Sequence, residues 1–310
     1  MSAAAPPAQR SRESVGAWAA ALTFTWWGLF PIYFRLHPEV SPVEVLANRI
    51  VWSLLLVAGV LTWRSHWAWL ATSLRSRRVM ASFVASALLL SVNWITYIWA
   101  VSNGHVVDAS LGYFITPLVN VGLGYGLLGE RPRRAQWIAL AIAAAGVVWL
   151  TASAGRLPWI GLVLGLSFGA YGLLRKVASL GALEGLTLET MLLAPAAVVG
   201  MAWWWGASAT SFPGPDLPTN LWLVGLGPVT TVPLLLFAVA ARRLSMTTLG
   251  LLQYLSPTLQ FLLGVWLFRE PFGGTRLVGF ALIWIALALY SLEGWRRRGL
   301  RVVVAEGRRP

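Results

Sequence analysis

The chain has 310 residues, of which 57% are apolar and only 11% charged, with a formal net charge of +13. A soluble domain carries roughly a quarter charged residues, so this composition excludes a soluble globular domain. The absence of cysteine also excludes disulfide frameworks, thiolate metal sites and cysteine nucleophiles.

Residues 1–14 are small and polar and are expected to form a disordered cytoplasmic tail. Residues 15–33 are too long for the apolar core of a signal peptide and lack a small-residue cleavage site, so they begin the first membrane span. Similar runs follow, giving ten expected helices at 15–35, 43–63, 78–101, 107–128, 135–152, 157–175, 185–205, 219–240, 246–268 and 274–293. Each is near the ~20 residues that a helix needs to cross about 30 Å of hydrocarbon. Arg75, Arg77 and Arg78 precede the third span, and Glu130-Arg131-Pro132 follows the fourth. Pro213, Gly214, Pro215 and Pro218 break the chain before the eighth. The fold class is an all-α polytopic membrane protein.

Nineteen of the 24 basic residues fall on the side of the N-terminus, among them Arg64, Arg131, Arg175, Lys176, Arg242 and the tail from Arg296. Arg35, Arg156, Arg269 and Arg276 fall on the opposite side, and Arg49 lies within a span. The arginine asymmetry therefore puts both termini in the cytoplasm, with residues 295–310 as a basic tail. Because the arginines alternate with apolar runs and build no basic domain, no nucleic-acid partner is expected. His37, His66 and His105 stand in separate loops without ligand spacing, so no metal or other cofactor is expected. There is no G-x-x-x-x-G-K phosphate loop to couple ATP to transport.

The chain repeats itself at an offset of 140 residues. That shift superposes Arg35 on Arg175, Glu44 on Glu184, Pro117 on Pro257, Asn120 on Gln260 and Glu130 on Glu270. Leu-Gly-Tyr-Phe-Ile-Thr-Pro (111–117) falls on Leu-Leu-Gln-Tyr-Leu-Ser-Pro (251–257). Two five-helix repeats are expected, at 15–152 and 153–294. An odd number of spans makes the second enter the membrane the other way up, an architecture that recurs in secondary transporters.

The same residues resemble RarD-type permeases of the EamA group in the drug/metabolite transporter superfamily. The resemblance rests on Trp27-Gly28 with Pro31 and Tyr33, and on Glu44-Val-Leu-Ala-Asn-Arg49-Ile-Val-Trp52-Ser53. It continues through Asn93-Trp94, the run from Ala109 to Asn120, and Tyr171-Gly172 with Arg175-Lys176. Glu189-Thr190, Thr230-Thr231 with Pro233, and Gln253-Tyr254 with Pro257-Thr258 complete it. It implies a ten-helix fold and export of small metabolites or drugs across the bacterial inner membrane; it carries over no particular substrate.

Charges within spans are costly and usually face a cavity or a partner. Arg49, roughly two turns into the second span, reads as an anchor for an anion or carboxylate. A structural pair with Glu44 and a side chain snorkelling to the headgroups are the competing readings. Its repeat mate is Glu189. If transport is proton-coupled, Glu189 or Asp108 carries the proton; otherwise Asp108 caps a helix and Glu189 lies at headgroup level. Pro117 and Pro257 each free a carbonyl one turn earlier, which places Tyr113 and Gln253 on kinked faces toward a cavity, unless the kinks serve packing alone. Trp26 and Trp94 read as cavity or lipid-facing aromatics, and Trp203, Trp204 and Trp205 as an interfacial belt. Asn93, Thr230 and Thr231 supply neutral hydrogen bonds, either to substrate or between helices. Tyr33 and Tyr254, within the resemblance motifs, complete the expected transport path.

The leading expectation is a secondary transporter exporting small amphipathic solutes by alternating access, and not an enzyme, because the spans hold almost no clustered titratable groups. An importer with the same fold, and a membrane scaffold or lipid-processing protein, are the alternatives. The expected partners are a small-molecule substrate and the lipid bilayer, with the chain acting as a monomer or weak homodimer.

Overall fold

The structure is a computed structural model that describes residues 7–37, 39–102, 106–155, 159–206, 211–214, 216–267, 274–275, 277–286, 288–289 and 292. Glu270, His105 and the tail from residue 293 lie outside these residues, and so does the side chain of Asp108.

All the regular elements among the described residues are helical: α1 (Pro7–Gly28), α2 (Phe30–Phe34), α3 (Pro42–Trp63), α4 (Ala68–Arg75), α5 (Arg77–Ser102), α6 (Val106–Leu128), α7 (Arg134–Ala154), α8 (Trp159–Val177), α9 (Ala182–Gly206), α10 (Leu217–Arg243), α11 (Met246–Gln253) and α12 (Leu255–Leu262), the last running into a π-helical turn at Leu263–Leu267. A final apolar helix, α13, covers Leu277–Ala286. Seven of these segments are long and apolar enough to span a bilayer. With the apolar part of α6, the broken α11–α12 pair and α13, they make the ten crossings of an all-α polytopic fold. In lipid a helix satisfies its own backbone groups, which is why apolar runs of this length adopt no other form.

One local expectation is corrected. Residues 7–14, read as disordered tail, belong to α1. Pro7 suits the first helical turn, where its missing N–H costs nothing, and Ala8, Gln9 and Arg10 are good helix formers. The short helix α4 occupies most of the connection after α3.

Helix direction defines two ends of the bundle. At one, Lys176 Nζ donates to the carbonyl of Leu244, and Glu130 accepts from the backbone of Met246 (2.9 Å) and Thr247 (3.3 Å) at the start of α11. The carboxylate thus supplies acceptors to N–H groups that a helix start leaves orphaned. The ends of α3, α8 and α10 and the starts of α5, α7 and α9 share this end, with most of the arginines. At the other end, Glu44 Oε1 accepts from Ser211 N (2.6 Å) and Phe212 N (3.1 Å), and Asp216 caps α10 through Thr219 N (3.0 Å). Those Thr219 hydrogen bonds hold the Asp216 carboxyl below its ordinary range.

Glycine faces let the two repeats interlock. A methyl group on Gly165 of α8 would sit 2.9 Å from Ile115 Cγ2 of α6, one on Gly227 of α10 2.8 Å from Trp52 Cβ of α3, and one on Gly28 of α1 2.7 Å from Leu259 Cβ of α12. Lipid tails are as apolar as leucine, so association of spans depends on such close backbone approach. The outside is correspondingly apolar: Trp18, Trp63, Trp203, Trp205 and Trp266 are all more than two-thirds exposed, as a lipid-facing surface requires. Trp204, between two of them, turns inward against Gly200.

Candidate functional site

A cavity opens between the two repeats, lined by Phe24, Trp27, Phe30, Arg49, Asn93, Trp94, Tyr97 and Tyr113 from the first and by Phe168, Gln253, Ser256 and Gln260 from the second. Its free volume is about 40 Å³. That is room for two or three waters.

Each lining group arrives by a readable local cause. Arg49 lies seven residues inside α3, about 10 Å from the Pro42 end. It is 3% exposed, and its Cζ stands 4.0 Å from the Trp94 ring centroid. Among the described residues no carboxylate pairs with it, and its Nε is buried without a hydrogen-bond acceptor. Phe24, Trp27 and Phe30 share one face of the first span at helical spacing. Pro31 has no N–H to give the Trp27 carbonyl, and Gln260 Nε2 donates to that carbonyl instead (3.1 Å), joining the two repeats at the cavity wall.

Asn93 Nδ2 is committed to Leu164 O and Ser167 Oγ, both at 3.1 Å. Asn120 Nδ2 donates to Gln253 Oε1 (3.1 Å), which leaves the Gln253 Nε2 group without a bond among the described residues. Tyr97 and Tyr113 meet edge to face at 5.7 Å. Neither hydroxyl makes a hydrogen bond among the described residues. The uncommitted groups at the cavity thus include donors, at Gln253 Nε2 and the two tyrosine hydroxyls, beside the amide oxygens of Asn93 and Gln260, and Arg49 is the one ionised side chain in its lining.

Of the residues expected from sequence, Arg49, Asn93, Trp94, Tyr113 and Gln253 come together here. Pro117 and Pro257 are buried, each one turn beyond Tyr113 or Gln253 and outside the lining. Trp26 is not at the cavity: it is 40% exposed, and its neighbour Trp27 takes the inward position. Tyr33 lies at the Pro42 end, stacked on Trp222 with its hydroxyl donating to Trp222 O (2.6 Å). Tyr254 stacks on Phe114 in the core beneath α7 and α13, and Thr230 and Thr231 are buried on α10 without reaching the cavity.

Glu189 belongs to a separate cluster. It is fully buried seven residues inside α9 from the opposite end. Arg175 Nη1 stands 3.7 Å from its Oε1, Ser86 Oγ donates to Oε1 (2.6 Å), and Tyr171 OH approaches Oε2 (3.5 Å). Arg49 does not pair with Glu44, which is engaged by the backbone of Ser211 and Phe212.

Sequence reasoning missed Phe24, Trp27, Phe30, Tyr97, Phe168, Ser256 and Gln260 as lining residues. The only signal for Gln260 was its place as the repeat mate of Asn120, which itself lies outside the lining. The aromatic residues gave none, because in an apolar helix nothing in the pattern separates a lipid-facing ring from an inward one.

Comparison with known proteins agrees with this architecture. The profile of the EamA-like transporter family matches residues 14–152 and again residues 157–292. An uncharacterized transporter of Pseudomonas aeruginosa is 47% identical over 270 residues, covering 87% of this chain and 91% of that protein. Protein RarD of Streptomyces exfoliatus is 44% identical over 272 residues (87% and 86%), and Protein RarD of Escherichia coli 41% identical over 287 (92% and 96%). A solved crystal structure matches with a TM-score of 0.66 at 20% identity, over 93% of this chain and 98% of that one, a likeness of fold alone. With two family matches that between them span nearly the whole chain, and relatives this similar along most of their length, the chain belongs to the EamA-like transporter family, in its RarD group.

Proposed function

We propose that this transporter is a secondary carrier that exports small amphipathic solutes by alternating access, with both termini in the cytoplasm. The observation that carries the reading is the cavity between the repeats. Aromatic rings give it an apolar body, and Arg49, Gln253 and the two tyrosine hydroxyls give it a polar side. That combination suits a solute with one apolar and one polar end. Two repeats of opposite orientation packed through glycine supply the rocking surfaces that alternating access requires. The proposed topology rests on the arginines gathered at one end.

The test compares small molecules inside and outside cells that produce the wild type, Arg49→Ala or neither, at equal membrane levels. The expected result is a class of compounds leaving wild-type cells faster than control cells, with the excess reduced at least about tenfold by the substitution, which removes more than 1.4 kcal/mol of binding. Faster accumulation inside would reverse the direction. Profiles identical to control cells across several growth conditions would overturn transport of this kind.

A further inference from the structure

We infer that the cavity selects organic anions: a solute whose carboxylate is held by the Arg49 guanidinium and whose apolar body lies among Phe24, Trp27 and Phe168. The inference rests on the transport reading above and names the substrate class.

The argument begins with Arg49 itself. A buried guanidinium ordinarily brings its own carboxylate, because an unpaired buried charge is destabilising. Arg175 shows the ordinary solution in this same protein, with Glu189 beside it. Arg49 is as deeply buried and has no such partner among the described residues, and its Nε lacks an acceptor. Trp94 covers one face of the guanidinium. Its N–H groups all lie in the plane of the group, so what remains open to a ligand is an edge, and an edge of two parallel N–H donors fits a planar carboxylate. The Tyr97 and Tyr113 hydroxyls and Gln253 Nε2 add further donors to the same lining, beside the amide oxygens of Asn93 and Gln260, so the charge of Arg49 and not the neutral groups sets the preference. A cationic solute would meet a fixed positive charge and no carboxylate in the lining. A neutral one would leave the charge as unpaired as before.

The experiment uses the purified full chain in detergent and reads the midpoint of thermal unfolding against a panel of matched acids, amides and amines. Their bodies are phenyl, indolyl and short alkyl groups, and the phosphonate matching each acid is included. Acids are expected to raise the midpoint of the wild type, and the matched amides and amines to leave it unchanged. In Arg49→Gln the apparent affinity for those acids should fall at least tenfold. In Arg49→Lys, which keeps the charge without the planar fork, carboxylates should lose more affinity than phosphonates. Loss in equal measure assigns the site to oxyanions in general, and preference for phosphonates over carboxylates in the wild type overturns the carboxylate.

A structural arginine and a ligand anchor also differ without ligand. Removing an unpaired buried charge is expected to raise the unliganded midpoint of Arg49→Gln, whereas removing a structural one lowers it. Amides or amines as effective as acids, or a panel in which no acid acts, overturns the inference, as does a lowered unliganded midpoint with acid binding retained. The transport reading fails separately. Exported compounds that prove neutral or cationic leave export standing and remove the anion, while acid binding without flux does the reverse.

Discussion

Removing one partner from a buried ion pair leaves the other charge with no solvent to replace it, at a cost of roughly 3–5 kcal/mol. Arg175 and Glu189 are 1% and 0% exposed, so this figure needs no discount for solvent screening. Glu189→Gln should lower thermal stability sharply, because Arg175 Nε has no acceptor of its own and Nη1 depends on the carboxylate. Arg175→Met with Glu189→Met removes both charges and should recover most of the loss. An unfolding midpoint in Glu189→Gln equal to wild type would show that the pair contributes nothing. At this scale sequence shows where a charge is but not who meets it. Arg49 stood out because an arginine within an apolar span is rare. Its separation from Glu44 and the union of Glu189 with Ser86, which lies on another helix 103 residues away, depend on packing that no spacing encodes. The exchange of Trp26 for Trp27 has the same origin. Adjacent helical residues differ by about 100° in direction, so a span placed correctly to within a residue still leaves the inward ring undetermined.

Helix-to-helix contact is set by small residues, and here sequence and structure can be separated experimentally. A methyl group on Gly250 of α11 would lie 2.9 Å from the Pro117 carbonyl oxygen of α6 and 3.2 Å from Asn120 Cβ, against backbone that cannot yield. Gly126, on α6 itself, has nothing within 4 Å. Gly250→Ala should therefore push α11 off α6, weaken the bond between Asn120 and Gln253, and depress flux severalfold or more. Gly126→Ala should leave flux intact and, by helix propensity of up to about 1 kcal/mol, slightly raise stability. Equal effects of the two substitutions in a flux assay would remove the claim that this crossing matters. The paired prolines were legible as helix perturbations from sequence, but their different outcomes were not. Pro117 stays inside a continuous α6, packed by α8 and α11, while Pro257 follows a break at Tyr254, where Thr258 N (3.2 Å) and Thr258 Oγ1 (2.8 Å) share one carbonyl. A freed carbonyl can be absorbed by bending or by breaking, and neighbours decide which.

In the whole molecule the 140-residue offset becomes a statement about depth. Arg49 lies about 10 Å inside one end and Glu189 about 10 Å inside the other, so the internal repeat was the most informative feature of the sequence. The structure treats these two depths unequally. Around Arg49 there is a cavity; toward Glu189 the space is filled by aromatic rings, with Phe237 5.0 Å from Phe168, 5.9 Å from Tyr171 and 6.3 Å from Phe24. Tyr97 at the cavity and Phe237 in this plug are repeat mates at the same offset. Alternating access between inverted repeats implies that the two positions exchange environments. The absence of native cysteine permits a direct test with single replacements, Tyr97→Cys and Phe237→Cys. With the termini in the cytoplasm, as proposed above, a membrane-impermeant thiol reagent outside right-side-out vesicles should modify the first and spare the second. In inside-out vesicles, where the reagent meets the cytoplasmic face, the second should become reactive, and a transported solute should alter both rates in opposite senses. Reactivity of both positions from one side in one conformation would describe a channel. A Phe237→Cys that resists the reagent from either face, with transport retained, would place the cytoplasmic route elsewhere in the bundle.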